Sequence, residues 1–191
     1  MSIHGRLELI IGNMFSGKTS ELIRRVNREK SISKKILVVN YIADNRYSTS
    51  SVASHDNVKL GSLKLARLSE ITENMIQQYD SFFIDEGQFF PDLFEMTIKL
   101  VDVHHKHVVI SGLDGDAYRN PFGHMTKLIP FCDSVDKLCA YCCMCNNGTL
   151  APFTKKKTPE TNQTKSVVDI GGSDKYIPVC REHYFRTRST V

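Results

Sequence analysis

The chain has 191 residues, 41% of them hydrophobic and 24% charged, with a formal net charge of +4. That length supports one domain, or one with a small appendage, and a core that needs no disulfide staples. The mild, dispersed positive charge suits an anionic substrate and argues against a nucleic-acid binder; with no apolar run of about 18 residues and no charged-then-apolar leader, a cytoplasmic setting is expected.

The first apolar run, residues 7–11, reads as a buried parallel strand. Gly12, Asn13, Met14, Phe15, Ser16, Gly17, Lys18 and Thr19 then fit G-x-x-x-x-G-K-[ST], the phosphate loop of nucleotide-binding proteins. Residues 19–30 carry Leu22, Ile23 and Val26 at helical spacing, without Gly or Pro. Strand, glycine loop and helix together are the context that separates a real phosphate loop from a chance match. Gly12 and Gly17 let backbone N–H groups close on an anion, and the helix start adds partial positive charge. Lys18 can reach the β- and γ-phosphates of ATP, and the Thr19 hydroxyl can serve Mg²⁺.

Residues 35–40 form the second apolar run, and Asp44 and Arg46 lie in the polar loop after it. Open α/β sheets place ligand groups at that end of a strand. Arg46 is the arginine best placed for the transferring phosphoryl group, its planar fork suiting phosphate better than a lysine does. The Ser-rich piece 48–54 reads as a surface loop or hairpin, and residues 69–78 as a helix capped at Ser69. Another apolar strand ends in Asp85 and Glu86, the first suited to Mg²⁺, the second to accepting a proton from an attacking nucleophile. Pro91 opens an amphipathic helix through about Val103, and His104, His105 and His107 read as a solvated turn at its end. Residues 106–112 are a further buried strand, and 122–131 a short helix. This alternation predicts an α/β fold, a RecA-like P-loop sheet that is mostly parallel and covered by helices on both faces.

Composition changes near residue 139, which divides the chain into a nucleotide-binding part, 1–138, and a small loop-rich part, 139–191. The six cysteines bunch in or near the second part, as metal ligands would and a disulfide framework would not. Cys142-x-x-Cys145 and Cys180-x-x-His183 are two short ligand pairs suited to structural, tetrahedral zinc. Cys139 and Cys142 share the same spacing and Cys143 is adjacent, but Cys139 falls in an expected strand at 137–141, which favours Cys142 and Cys145. Residues 166–170 and 176–179 read as two short strands round the Gly171–Gly172 turn, able to close over a small second substrate.

Two readings compete. A P-loop ATPase with a zinc ribbon, stimulated by nucleic acid, would use Lys18, Asp85 and Glu86 to activate water; the lack of a basic stripe, with only a short cluster at 155–157, weighs against it. The motifs in order instead resemble the type II (cytosolic and viral) thymidine kinases. The matching pieces are the phosphate loop, residues 44–48, His55 and Asp56, residues 85–90, 113–115 and 121–123, the paired metal ligands, and residues 171–176. They run from residue 12 to 183.

The resemblance implies transfer of the ATP γ-phosphate to the 5′-hydroxyl of thymidine, and of deoxyuridine, giving dTMP and ADP in deoxynucleotide salvage. By resemblance, Glu86 is the general base, Thr19 and Asp85 serve Mg²⁺, and Asp44, Arg46 and Gln88 line the phosphate and nucleoside side. Met14, Phe89, Leu113 and Phe122 match pocket walls. Thr154, Val167, Val168, Asp169, Ile170, Gly171 and Tyr176 match a "lasso" whose backbone grips the pyrimidine. A homotetramer inhibited by dTTP is implied too. Asn13 stands where the family often has proline, His183 where a fourth cysteine is commoner, and Asp169 where relatives are apolar. Ala117 replaces an aromatic, with Tyr118 beside it as the alternative contact.

Overall fold

The computed structural model describes residues 4–42, 51–53, 59–157 and 175–186, with the backbone alone at 51–53, 59 and 60. Its first elements are β1 (Arg6–Gly12), α1 (Lys18–Lys30), β2 (Ile36–Tyr41), a hairpin of β3 (Ser51–Ala53) with β4 (Lys59–Gly61), and β5 (Leu63–Leu65). Then come α2 (Glu73–Gln78), β6 (Ser81–Ile84), α3 (Leu93–Ile98), β7 (His107–Gly112) and β8 (Ser134–Leu138). The last elements are β9 (Ala140–Tyr141), β10 (Leu150–Ala151), β11 (Phe153–Lys156), β12 (Tyr176–Val179) and α4 (Arg181–Phe185).

Six strands form one sheet in the order β5-β2-β6-β7-β1-β8, every pairing parallel. Parallel sheets are covered on both faces, which is why these strands are unbroken apolar runs. Leu7, Leu9, Phe82, Ile84, Val108 and Ile110 face a core shared with Leu93, Leu100, Met125 and Leu128. Ile10, Val38, Phe83 and Val109 alternate to the other face, against Leu22, Ile23 and Val26 of α1. After Leu138 the chain leaves the sheet. A third cluster, Ala140, Cys142, Ala151, Val179 and Cys180, then forms around β9–β12, with Phe15 of the phosphate loop packed on it.

Several elements differ from the sequence expectation. The helix at 69–78 is broken: Leu68–Glu70 is a single 3₁₀ turn, because the Asp92 carboxylate accepts from the Leu68 and Ser69 N–H groups at 3.0 and 2.8 Å. The α-helix starts later, capped by Thr72 rather than Ser69, through an N–H bond from Met75 at 3.3 Å. The helix after Pro91 ends as a π turn over Lys99–Val103, and the helix expected at 122–131 is a 3₁₀ segment, Thr126–Phe131, interrupted by Pro130, which has no N–H to donate. The strand expected at 137–141 splits at Cys139 into β8 and β9. β12 pairs antiparallel with β11, while the partner strand expected at 166–170 lies outside the described residues.

His107 is not solvated. Pairing of β7 with β1 sets it beside Arg6, at the sheet end opposite the phosphate loop, where its ring meets Glu8 Oε1 at 3.2 Å and Glu29 Oε1 at 2.5 Å. Hydrogen bonding to His107 leads in holding Glu8 at about 2, against burial. Glu29 also lies at about 2, burial opposing but His107 outweighing it, and the two carboxylates in turn raise the imidazole despite its own burial. Arg25 reaches Glu8, Glu21 and Asp136 from α1, fixing the helix on the sheet.

Candidate functional site

The phosphate loop needs backbone that most residues avoid. Gly12 has φ +147°, and a Cβ there would lie 2.2 Å from the Leu138 carbonyl oxygen. Phe15 and Gly17 take left-handed backbone at φ 67° and 84°, turning the loop into α1 at Lys18. Lys18 Nζ and Ser16 Oγ both donate to the Asn13 carbonyl, at 2.7 and 2.8 Å, so the loop is closed on itself. Asn13 is buried, and its side chain links the loop to the metal-side strands. Its Oδ1 accepts from Ala140 N at 3.3 Å and its Nδ2 donates to Phe153 O at 3.4 Å. Met14 N donates to Thr154 Oγ1 at 3.0 Å.

Asp85 and Glu86 leave the end of β6, separated from the β1 loop by β7 alone. Thr19 Oγ1 stands 3.1 Å from Asp85 Oδ2, and Ser111, the polar residue near the end of β7, donates to Asp85 Oδ1. This hydroxyl–carboxylate pair beside a phosphate loop is the donor set a Mg²⁺–nucleotide would use. Glu86 sits at φ 55°, a left-handed backbone uncommon for a side-chain-bearing residue. Gln88 Nε2 donates to Glu86 Oε2 at 2.5 Å, while Gln88 Oε1 accepts from Leu113 N at 2.9 Å. Gln88 therefore holds the carboxylate that the sequence marked as a base. Glycines wall it in: a Cβ at Gly112 would lie 2.6 Å from Gln88 Oε1, and one at Gly123 2.3 Å from its carbonyl oxygen.

Phe89 stacks on Tyr41 at 5.5 Å and meets the Phe122 edge at 5.6 Å, while the Leu113 N–H is held by the side chain of Gln88, the residue before Phe89. Ala117 keeps its carbonyl in a hydrogen bond from Tyr184 Oη at 2.9 Å, while Tyr118 is exposed with Lys156 Nζ 5.8 Å from its ring. Tyr176 is buried at the start of β12, paired with Lys156. A cavity of about 240 Å³ opens at the seam, lined by Asn13, Thr154, Phe153, Asp114, Asp116 and Arg119 among others; Glu86 does not line it. Asp44, Arg46, Val167, Val168, Asp169, Ile170 and Gly171 lie outside the described residues.

Cys142, Cys145, Cys180 and His183 bring their ligand atoms within 4.8 Å of one another. Cys145 and Cys180 sulfurs are 3.8 Å apart, and His183 Nδ1 lies 3.3 Å from each and 3.6 Å from Cys142 Sγ. Tetrahedral zinc, with bonds of about 2.0–2.3 Å, sets ligand edges of about 3.5–3.8 Å, within a few tenths of an ångström of these four separations. Burial disfavours the Cys142 thiolate, yet N–H groups of Cys180, Cys145 and Met144 outweigh this and bring it to about 6. Burial and the neighbouring thiols push Cys145 up to about 11, a conflict that a bound cation relieves. Cys139 and Cys143 stand outside the cluster, which decides between the spacings.

Sequence reasoning missed Ser111, Tyr41, the tie from Gln88 to Glu86 and the aromatic role of Tyr184. Ser111 alone had a signal, a polar residue closing an apolar strand. No helix among the described residues is long and apolar enough to cross a membrane.

A family model described as thymidine kinase matches residues 5–184. The chain is 42% identical over 188 residues to a thymidine kinase of Oryza sativa subsp. japonica, covering 96% of this chain and 67% of that one. It is 40% identical over 185 residues to the cytosolic thymidine kinase of Homo sapiens, covering 97% and 75%. A thymidine kinase of Myxoma virus is 40% identical over 181 residues, covering 95% and 97%.

Proposed function

The chain belongs to the thymidine kinase family, and from that membership we propose how its residues carry phosphoryl transfer from ATP to the thymidine 5′-hydroxyl. The activity is that of an ATP-dependent thymidine kinase, giving dTMP and ADP. One observation carries the assignment of roles: Thr19 and Asp85 converge beside the phosphate loop, with Glu86 next in the chain and held by Gln88.

The N–H groups of residues 12–19 hold the phosphates, and Lys18 swings from the Asn13 carbonyl to the β- and γ-oxygens as they arrive. Thr19 and Asp85 would hold Mg²⁺, which neutralises charge on the phosphate oxygens when bound. Glu86 takes the proton of the 5′-hydroxyl as that oxygen attacks the γ-phosphorus in line, the bond to the ADP oxygen breaking. Arg46 and Asp44 belong to the phosphate side. Phe89, Leu113 and Phe122 wall the nucleoside, with Met14, Thr154, Tyr176 and the backbone of 167–171 on its other side. Deoxyuridine, lacking only the base methyl, is a second acceptor. Zinc on Cys142, Cys145, Cys180 and His183 would be structural, since four protein ligands leave no open position.

We also divide the chain into a kinase part, 1–138, and a zinc-bearing lasso part, 139–191, a division supported by the end of β8 at Leu138. A homotetramer, dTTP as end-product inhibitor and a cytoplasmic setting follow from the family resemblance; the human relative's description as cytosolic supports the last.

The test is ADP formation from Mg-ATP alone and with thymidine, deoxyuridine, deoxycytidine or single-stranded DNA. Turnover with thymidine and deoxyuridine only is expected; turnover without nucleoside, raised by DNA, would instead mean a nucleic-acid-stimulated ATPase. In Glu86→Gln, ATP binding should persist while kcat falls by roughly two to four decades. Full activity would remove Glu86 from the proton transfer.

A further inference from the structure

The transfer chemistry leaves one assembly unused, where the metal-bearing end of the chain grips the loop between β7 and β8. That loop is internally locked. Gly115 bridges Pro121, Asp116 Oδ1 accepts from the Tyr118 and Asn120 N–H groups at 2.8 Å each, and Arg119 N donates to Asp116 O at 3.0 Å. Arg119 stands at its tip in left-handed backbone, φ 67°. Its guanidinium carbon lies 4.8 Å from the Tyr184 ring centroid, 4.8 Å from Phe185 and 5.8 Å from Phe153. A second tie is the Tyr184 hydroxyl bond to the Ala117 carbonyl at 2.9 Å.

Both ends of this contact lead to a site. Tyr184 follows His183 directly, and its N–H donates to the Cys180 carbonyl at 2.9 Å, so two metal ligands fix where the ring stands. At the loop's other end, Leu113 N is held by Gln88, which also holds Glu86, and Phe122 packs on Phe89. Arg119 and Phe185 remain exposed, so burial of a core does not explain the contact. The planar, weakly hydrated guanidinium is the cation that stacks on aromatic faces.

We propose that Arg119 and Tyr184 are positioning residues, a clasp through which the metal cluster sets the loop carrying Leu113 and Phe122 and so couples metal retention to nucleoside binding. The nucleoside half rests on the kinase reading. Coupling of binding free energies is reciprocal, so thymidine must tighten metal binding wherever the metal favours thymidine.

The experiment uses the zinc-loaded full chain as wild type, Arg119→Met, Arg119→Lys and Tyr184→Phe. Zinc affinity is measured by equilibrium competition with a chelator, with and without saturating thymidine, hydrogen exchange is read at residues 113–121, and KM is measured for both substrates. Thymidine should protect the bound zinc of the wild type, tightening its affinity about fivefold or more, within the usual range of such couplings. In Arg119→Met that protection should fall below twofold, exchange at 113–121 should quicken, and KM for thymidine should rise about tenfold while KM for ATP stays within twofold. Arg119→Lys should recover part of each effect. Equal protection in wild type and Arg119→Met, or equal loss for both substrates, overturns the clasp. If Arg119→Met does not fold, Tyr184→Phe keeps the rings and removes only the Ala117 bond, and unchanged exchange there overturns it as well. A wild type without thymidine turnover refutes the kinase reading, whereas the exchange result judges the clasp without any nucleoside.

Discussion

Replacing Gln88 by Leu keeps the volume of a buried side chain and removes both of its polar contacts. The bond to the Glu86 carboxylate, at 2.5 Å, is to a charged group, a class worth about 1.5–3 kcal/mol. The Leu113 N–H, half-buried, loses its acceptor, adding about 1 kcal/mol at the lower end of the range for an orphaned donor. Together this destabilises the fold by about 3 kcal/mol, which lowers Tm by about 6–12 °C at this chain length. Only the carboxylate-holding share bears on the chemistry, and at 1.36 kcal/mol per decade it predicts a kcat lower by about one to two decades. KM for ATP should hold, since the bonds from Lys18 and Ser16 lie elsewhere. Steady-state ADP release, with a thermal melt on the same preparation, reads every quantity. A variant that melts early but keeps kcat within twofold would refute the reasoning, because Glu86 would then need no holding.

His107→Asn should lower Tm most between about pH 4.5 and 6.5. The imidazole's folded pKa is raised above its ordinary 6.5, so its contribution is complete below that and fades as pH rises; Glu8 and Glu29, at about 2 against an ordinary 4.5, contribute above 4.5 and fade toward 2. A pH-independent difference between the two melts would contradict this. Gly123→Ala forces a Cβ to within 2.3 Å of the Gln88 carbonyl at a backbone φ of +58°, and should cost about 1–3 kcal/mol and lower kcat by displacing Gln88; a neutral melt and rate would show that the loop gives way. Cys180→Ser should lose bound zinc, measured by metal content, lower Tm and raise KM for thymidine more than for ATP, and full zinc content would take Cys180 out of the ligand set.

The sheet was legible because parallel strands buried on both faces appear as unbroken apolar runs, and β1, β2, β6 and β7 each do. The phosphate loop and the metal pairs were legible for another reason, since their chemistry dictates local spacing. What stayed hidden was decided by distant residues. Asp92 captures the N–H groups of Leu68 and Ser69 and ends the first turn of an expected helix. His107 reads as solvated in the sequence, yet the β1–β7 pairing places Glu8 beside it and α1 brings Glu29. Gln88 showed a polar side chain near an acidic pair, but the bond to Leu113 that turns it into a brace joins separate strands' ends.

The pairing of β1 has a consequence for how the chain is made. Its neighbours are β7 and β8, so Arg6 waits for His107 and Glu8 for Ser134. By contrast β2, β5 and β6 lie within residues 36–84 and can pair early. During synthesis the N-terminal strand, with Leu7, Leu9, Ile10 and Ile11 uncovered, therefore remains without its partners for on the order of ten seconds at ordinary translation rates. Pairings this remote are slow to form and leave a sticky edge while they wait. A nascent chain stopped before residue 134 holds every residue of the phosphate loop yet lacks the strand whose Leu138 carbonyl lies against Gly12.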